Sequence, residues 1–453
     1  MHKYNTIIRY AITATALVSL TGCLSAPKDA NSISSSGTNS ANFSPMTLGT
    51  AGDDFSRSIV TDKQGVGYVV GELNRNSTTA SQAFISKIGV NNEIVWTIKS
   101  VGNSDTYAES VALSPDNSIV VAGFFGVGSN PSSLSIGSET VTTQNSEATN
   151  MFLAKVDADG KALWLKSINA GPLDAARSVV VDAQGYIYVS GDSASVSGNT
   201  NASLAKFTSA GDKVWSMPLV ANEYSSAHSA RIASNGDVLV AGYFTGSVSA
   251  GAQTLVSRGS YDGFAMRVSA QGNTIWFKTI GGSADNDYAY DILETKNATV
   301  VVTGYYAGQA KFGASTLNSK GGSDAYLAVL DVQGNVTQAL GVGSAKDDYA
   351  YNLTTKGNNF IVAGRFTGSM QIGNVNLAEK SRTGLFIAEF TPSLAPLSAM
   401  SSPSTGLYYS YDIAARPDGT LLAAAYYEEE FTANNKTVTS VGYNDAIVYL
   451  LQP

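Results

Sequence analysis

The sequence has few of the residues from which catalytic and metal sites are usually built. Its 453 residues include one Cys and two His, which excludes a disulfide framework, a Cys-rich zinc site and a Cys–His dyad. Only 14% of the residues are charged, and the net charge is −8. A nucleic-acid partner is therefore not expected, because phosphate binding requires a basic surface.

Glycine and tyrosine are abundant instead, with 44 and 23 copies. Short apolar segments alternate with runs of Ser, Thr, Asn and Gly. This composition favours many short strands joined by turns, because strands require alternating apolar residues and turns require Gly and Asn. We therefore expect an all-β fold.

Residues 1–22 have the features of a lipoprotein signal peptide. Lys3 and Arg9 precede an apolar run at 11–20, and this run is too short to span a bilayer. The run ends in LTGC, with Cys23 last, and this resembles the lipobox of bacterial lipoproteins. The resemblance implies that Cys23 is acylated and anchors the chain to a membrane; the alternative is a buried structural Cys. Because Leu24 follows, and not Asp, it also implies an outer-membrane lipoprotein, facing the periplasm or the cell surface.

The chain after the signal peptide divides into a tether and one repetitive domain. Residues 23–41 are rich in Ser and Asn and lack the large apolar residues needed to fold, so we expect a flexible tether. Residues 42–453 contain seven copies of one unit, each predicted to form four strands, a to d, in an antiparallel meander. The units begin at Asp53, Asp105, Asp174, Ser225, Asp287, Asp348 and Tyr408.

A repeat of 51–68 residues with four strands predicts a β-propeller with seven blades. Trp96, Trp164, Trp215 and Trp276 occupy one position in strand d, which supports the alignment of the repeats. The seventh repeat ends without a strand d, whereas residues 42–48 precede the first repeat and place Phe43 at the Trp position. We therefore predict that the N-terminal strand completes the last blade and removes an open sheet edge.

Several segments resemble known propeller repeats. GGSADNDYAYDI, VVVTGYYAG and GGSDAYLAVLDVQG are similar to the bacterial SBBP family of β-propeller repeats over about residues 42–453. The hairpins from Gly160 to Trp164 and from Gly272 to Trp276 also resemble the propeller repeats of outer-membrane assembly lipoproteins. These resemblances imply a fold and carry little information about activity.

One position in strand a is occupied by large but chemically varied residues between small neighbours. Its members are Arg57, Glu109, Arg177, His228, Tyr290, Tyr351 and Tyr411. A propeller would place them around the mouth of its central channel, where they could bind a polar ligand, a glycan or a peptide. The alternative is a plug of side chains that pair with one another.

The connections from strand b to strand c carry nearly all the length variation between repeats. They lie at the same end of the predicted propeller as the mouth. Variable loops on a rigid scaffold often bind ligands, although unconstrained drift of surface loops is an equal alternative. In the 22-residue connections, extra apolar patterns such as KFGASTL and MQIGNVNL suggest small hairpins.

Catalysis and metal binding have little support in the sequence. The acids at the start of each repeat fit turn caps better than calcium ligands, and they are Asp53, Asp54, Asp105, Asp174, Asp287, Asp347 and Asp348. Only His228 remains after signal cleavage, and no nucleophile elbow, phosphate loop or dinucleotide motif is present. We therefore expect no catalytic residues, no metal and no cofactor.

The sequence favours a monomeric binding or scaffold protein that recognises an envelope protein or glycan through the variable-loop face. One alternative is an accessory factor in outer-membrane protein assembly, by analogy with other propeller lipoproteins. Another is a hydrolase or lyase that uses carboxylate or Tyr chemistry on glycans.

Overall fold

The protein is all-β in the part of the chain that the structure describes. A computed structural model describes residues 45–75, 79–127, 131–143, 149–168, 174–194, 199–282, 285–378, 383–401, 408–433 and 436–451. These residues form strands, turns and bends without any α-helix, so none of them belongs to a helix that could cross a membrane. The predicted signal peptide, Cys23 and the tether lie outside the described residues.

The strands form four-stranded antiparallel meanders, which we number as sheets one to seven and whose strands we letter a to d. Sheets one to three consist of Asp53–Thr61, Gly67–Arg75, Gln82–Ile88 and Ile94–Lys99; Asp105–Leu113, Ile119–Val127, Asn150–Val156 and Ala162–Ile168; and Asp174–Val181, Ile187–Ala194, Thr200–Phe207 and Lys213–Pro218. Sheets four and five consist of Tyr224–Ile232, Val238–Thr245, Asp262–Val268 and Thr274–Ile280; and Asp287–Glu294, Val300–Phe312, Ser315–Leu330 and Val336–Val342.

Sheets six and seven follow the same plan. Sheet six consists of Tyr349–Lys356, Asn359–Phe366, Gly384–Phe390 and Pro396–Ser401. Sheet seven consists of Tyr408–Ala415, Leu421–Ala433 and Lys436–Leu451, together with Met46–Leu48. Thr47 of this last strand pairs with Ile447, antiparallel, so an N-terminal segment supplies the fourth strand of this sheet. Phe43 lies outside the described residues.

Strand a of each sheet lies against strand a of the next sheet, and strand a of sheet seven lies against that of sheet one. Hydrogen bonds join these strands from side chain to backbone. The Val111 N–H donates to Ser58 Oγ at 3.4 Å, the Val179 N–H to Ser110 Oγ at 3.1 Å, and the Ala230 N–H to Ser178 Oγ at 3.2 Å. The Leu353 N–H donates to Asp291 Oδ2 at 2.8 Å and the Ile59 N–H to Asp412 Oδ2 at 3.0 Å. This arrangement of radial meanders around their innermost strands is that of a β-propeller.

The hydrophobic core fills the spaces between neighbouring sheets. Apolar residues alternate along strands b and c, so each sheet buries both faces against its neighbours. One cluster joins Val70 and Ile85 of sheet one to Val121 and Phe152 of sheet two, and equivalent clusters join the other neighbours. The core therefore depends on the packing of successive sheets.

The four Trp residues connect neighbouring sheets at the end opposite the variable connections. Each indole lies against the glycine of the strand c to strand d turn in the next sheet, as Trp96 does with Gly160. That glycine has a positive φ of 89° and lies too close to the indole to accept a β-carbon freely. Trp96 Nε1 also donates to the Ala158 carbonyl at 3.2 Å. This repeated contact explains why the Trp residues share one position in the sequence.

The predicted hairpins in the b-to-c connections are confirmed, and each contributes an apolar face to the core. In sheet six, Ser369–Ile372 pairs with Val375–Ala378, and Met370 and Ile372 are buried. In sheet five, strands b and c continue outward to form the hairpin. Similar hairpins occur in sheets two and four at Ser132–Ile136 with Glu139–Thr143 and at Ser247–Ala250 with Gln253–Val256.

Candidate ligand-binding mouth

Each residue of the predicted ligand ring is the extra residue of a β-bulge in strand a. Ser56 pairs with Gly71 and Ser58 with Val70, so Arg57 has no opposite residue in strand b. The same break in register occurs at Glu109, Arg177, His228, Tyr290, Tyr351 and Tyr411. A bulge turns the extra side chain away from its regular alternation. We call these seven residues the bulge ring.

The bulge in strand a explains why strand b has a glycine opposite it. The carbonyl oxygen two residues before each bulge points at the α-carbon of the glycine, so a β-carbon at Gly71 would collide with Phe55 O. Gly304 faces Tyr288 O in the same way. Sheet seven departs from the pattern, because Ala425 pairs with Ser410 at this position. The glycine spacing in the sequence therefore marks the bulge.

The bulge ring brings its side chains together at one mouth. The Arg57 guanidinium carbon lies 4.4 Å from the Tyr411 ring centroid, which joins sheet one to sheet seven. The Tyr290 ring centroid lies 5.3 Å from those of His228 and Tyr351. All seven residues are partly buried. The ring side chains thus pair with neighbours, as the plug interpretation expects, and still keep exposed area.

A second set of side chains, which was not predicted from the sequence, surrounds the bulge ring. It consists of the residue that follows the strand-b glycine, or Ala425 in sheet seven. Its members are Glu72, Phe124, Asp192, Tyr243, Tyr305, Arg365 and Tyr426. The signal was present, since this position also alternates between charged and aromatic residues next to a fixed glycine.

The ionic arc comprises Arg57, Glu72, Glu109, Arg177 and Asp192, in sheets one to three. Arg57 forms an ion pair with the fully buried Glu72, and Arg57 Nε donates to Glu72 Oε2 at 2.9 Å. Burial alone would lower the pKa of Arg57, but the charge and hydrogen bonds of Glu72, together with the smaller effects of Tyr411 and Glu109, raise it. Arg177 Nε donates to Asp192 Oδ2 at 2.9 Å. Both arginines are therefore fixed charges within pairs.

Glu109 differs from the other acids of the ionic arc. Its charge raises the pKa of Arg57 on one side and of Arg177 on the other, as a minor contribution beside burial and their own ion partners. Among the described residues, no Lys or Arg nitrogen comes within ion-pair distance of its carboxylate. Glu109 is thus the acid of the arc that is most available to a ligand.

The aromatic arc comprises Tyr224, Tyr243, Tyr261, Tyr288, Tyr305 and Tyr349, in sheets four to six. The Tyr288 ring centroid lies 4.2 Å from that of Tyr243 and 4.7 Å from that of Tyr305, and Tyr305 lies 4.6 Å from Tyr349. All six side chains are partly exposed. The arc is a continuous surface of tyrosine rings.

His228 joins the aromatic arc to the ionic arc. Its ring centroid lies 5.1 Å from that of Tyr243 and 5.3 Å from that of Tyr290. Burial, helped by the charge of Arg177, lowers the pKa of His228 to about 4. The imidazole is therefore neutral at physiological pH and acts as another ring of the aromatic surface.

Most of the acids at the start of the repeats accept hydrogen bonds from backbone N–H groups, as turn caps do. Asp54 accepts from the Thr50 and Asn74 N–H groups at 2.6 and 2.7 Å. Asp348 accepts from the Ser344 and Thr367 N–H groups at 2.5 and 3.0 Å. Asp105, Asp287 and Asp347 accept similarly. Within the described ranges, no group of three or more potential metal ligands occurs.

The fold and the mouth define this chain as a β-propeller protein. No family model matches the sequence, so the resemblance to SBBP repeats stays a prediction. The regulatory protein FlaEY of Caulobacter vibrioides is 24% identical over 317 residues, covering 63% of this chain and 30% of that protein. An uncharacterized WD repeat-containing protein of Acanthamoeba polyphaga mimivirus is 24% identical over 266 residues, covering 47% of this chain and 19% of that protein. The chain therefore spans less than a third of these curated relatives.

Two solved structures match most of this chain at low similarity. The β-propeller domain of the Trilobed protease from Pyrococcus furiosus superposes with a TM-score of 0.44 and 9% identity, covering 86% of this chain and 99% of that domain. Sqt1 from Chaetomium thermophilum gives a TM-score of 0.44 and 9% identity, covering 90% of this chain and 100% of Sqt1.

Proposed function

We propose that residues 42–453 form a closed seven-bladed propeller and that Cys23 anchors it to the outer membrane. Two contacts between sheets one and seven support the closed ring. Ser58 Oγ donates to Asp412 Oδ2 at 2.9 Å, and Arg416 Nη2 donates to the Gly89 carbonyl at 3.0 Å. The anchor rests on the LTGC motif alone.

We further propose that the propeller binds an envelope protein or glycan at the mouth on its variable-loop face. The observation that carries this proposal is the repetition of the bulge in every strand a. Bulges are frequent beside binding and active sites because they redirect single side chains. Here they direct a varied set of charged and aromatic residues to one place, whereas a purely structural ring would tolerate uniform small residues.

The proposed action is binding without turnover. Arg57 and Arg177 are fixed cations held in ion pairs, which do not transfer protons, and His228 is engaged in aromatic contacts. Among the described acids of the ionic arc, Glu72 and Asp192 are held in ion pairs and Glu109 is not, whereas general acid–base catalysis on glycans ordinarily uses two carboxylates. We propose neither a cofactor nor a metal for this activity.

Capture of envelope components tests the site. The full chain with Cys23→Ser, which prevents acylation, is immobilised and exposed to a detergent extract of the envelope. Tyr305→Ala alters the mouth, and Tyr186→Ala is a matched control, because Tyr186 is an exposed tyrosine just before strand b of sheet three. We expect the control to retain a component that Tyr305→Ala loses. Equal capture by both variants would show that the mouth is not the binding site.

The anchor and its orientation need a separate test. We expect the wild-type chain to incorporate labelled palmitate in cells and the Cys23→Ser variant to incorporate none. Protease treatment of intact cells then distinguishes a surface-facing chain, which is digested, from a periplasmic one. Labelling of both forms would contradict the proposed role of Cys23.

A further inference from the structure

We infer that the aromatic arc is the binding surface for an uncharged oligosaccharide. This inference rests on the proposed binding function and names the ligand class. It follows from the shape of the arc, from its lack of ionised groups and from the contrast with the ionic arc.

The shape of the arc favours a flat ligand that lies on the rings. Neighbouring rings touch, with centroids 4.2 Å apart for Tyr243 and Tyr288 and 4.7 Å apart for Tyr288 and Tyr305. The Tyr261 ring is stacked on that of Tyr288 at 5.4 Å. Rings in mutual contact leave no slot between them for an inserted side chain. A pyranose ring needs no slot, because its C–H face can lie against the part of each tyrosine ring that stays exposed.

This shape disfavours a proline-rich peptide. Such peptides dock into grooves between aromatic side chains, and the groove must be wide enough to accept a prolyl ring. The contacts between the arc tyrosines fill that space.

The chemistry of the arc fits a neutral, hydroxyl-rich ligand. Burial raises the pKa of the Tyr243, Tyr288 and Tyr305 phenols, so these groups stay protonated and can donate and accept hydrogen bonds. The imidazole of His228 beside them is neutral as well. The arc therefore offers ring faces and neutral hydroxyl groups, which match the two surfaces of a sugar unit.

The arc extends over three sheets. Contacts run from Tyr243 in sheet four through Tyr288 and Tyr305 in sheet five to Tyr349 in sheet six. The Arg365 guanidinium carbon lies 4.4 Å from the Tyr349 ring centroid and bounds the arc at that end. A surface of this extent suits a chain of several sugars better than a monosaccharide.

The test is binding to an array of neutral oligosaccharides that includes cellohexaose and maltohexaose. The full chain with Cys23→Ser is used, and each positive glycan is then measured by calorimetry. Because no ion pair is formed, we expect the affinity to change less than about twofold when the ionic strength rises tenfold. A blank array, or an affinity that falls strongly with salt, would overturn the inference.

The affinities of substituted variants test whether the glycan binds at the aromatic arc. Tyr305→Ala should weaken binding about tenfold, and Tyr305→Phe should stay within about threefold, because it keeps the ring face. Tyr186→Ala is the matched control and should bind as the wild type does. If Tyr305→Ala fails to fold, as seen by circular dichroism, Tyr261→Ala takes its place, since Tyr261 lies just before strand c of sheet four and outside the strand itself. Unchanged affinity in a folded variant would overturn the inference.

Comparing envelope capture with glycan binding for the same variants distinguishes a failure of this inference from a failure of the proposed function. A blank glycan array, combined with envelope capture that still depends on Tyr305, would leave the mouth as a binding site and assign it a protein ligand. Binding of a proline-rich peptide that Tyr305→Ala abolishes would have the same meaning. Loss of both glycan binding and Tyr305-dependent capture would remove the proposed function as well.

Discussion

The ionic arc and the aromatic arc are built on the same backbone feature but carry side chains of different chemistry. In both, a bulge in strand a and the residue after a strand-b glycine face the mouth. In sheet one the two residues are Arg57 and Glu72, which form a buried ion pair. In sheet five they are Tyr305 of the aromatic arc and the bulge residue Tyr290 beside the arc, whose rings lie 5.8 Å apart. The comparison suggests that the ionic arc mainly holds the mouth together and that the aromatic arc mainly binds.

The largest expected effect is on stability, from breaking the ion pair of sheet one. Glu72→Gln leaves the Arg57 charge partly buried without its partner, which should lower the free energy of unfolding by about 3 kcal/mol. Replacing both residues by Met should recover most of this loss, because an apolar pair needs no compensation. Urea denaturation measures both values. A loss below about 1 kcal/mol in Glu72→Gln would mean that the pair does not hold the mouth together.

Substitution of the strand-b glycines should affect ligand affinity differently in the two arcs. A β-carbon at Gly191 or Gly304 collides with the carbonyl oxygen of strand a, and such overpacking costs about 2 kcal/mol. Gly304→Ala displaces Tyr288 and should therefore lower ligand affinity as well as stability. Gly191→Ala, in the ionic arc, should lower stability alone. Equal effects on affinity would contradict the division between the arcs.

Mild acid should stabilise the protein. Burial raises the pKa of Asp54, Asp348 and Asp412 to about 6, above the value of about 4 expected in the unfolded chain. The folded state therefore binds more protons than the unfolded state between about pH 4 and 6, and these groups lose their stabilising contribution as the pH rises through 6. His228, with its pKa lowered to about 4, acts in the opposite sense as the pH falls below about 6.5.

Burial also raises the pKa of Glu72, Asp262 and Asp324, so these acids act in the same sense as the three with values of about 6. Because all of them oppose one imidazole, we expect the melting temperature to rise as the pH falls from 7 to 5. Asp412→Asn removes one of the three groups and should flatten the profile. Calorimetry over this range measures both effects. A melting temperature that falls steadily from pH 7 to 5 would show that His228 dominates.

The smallest effect is expected at Glu109. Its carboxylate has no ion-pair partner among the described residues, so Glu109→Gln should change the free energy of unfolding by less than about 0.5 kcal/mol. Affinity should also stay the same if the ligand lies on the aromatic arc. A tenfold loss of affinity, measured by the capture assay, would move the binding site to the ionic arc.

The sequence predicted a β-propeller and the shared position of the seven ring residues in strand a because both depend on local repeats. Strand alternation, the Trp position and the strand-b glycine recur at fixed spacings, and they locate the strands, the contacts between sheets and the seven ring residues. The bulges were not predicted, because a bulge is a relation between two strands about 15 residues apart. The 15-residue spacing of Arg57 and Glu72 would have revealed the ion pair once that register was known.

The division into two arcs could not be predicted from any single repeat. Tyr243 and Tyr288 are 45 positions apart, and their contact depends on how two sheets pack. The hairpins were expected from their apolar patterns, but their role in the core emerged only from the burial of residues such as Met370 and Phe312. These contacts depend on the packing between sheets, which the periodicity of the sequence does not reveal.

The most direct test compares Glu72→Gln and Tyr305→Ala side by side, with the free energy of unfolding and the affinity for the captured ligand measured on each. We predict that Glu72→Gln loses stability and keeps affinity, whereas Tyr305→Ala loses about tenfold in affinity and destabilises the fold less than Glu72→Gln does. The opposite result, with affinity lost in Glu72→Gln and retained in Tyr305→Ala, would contradict the assignment of binding to the aromatic arc.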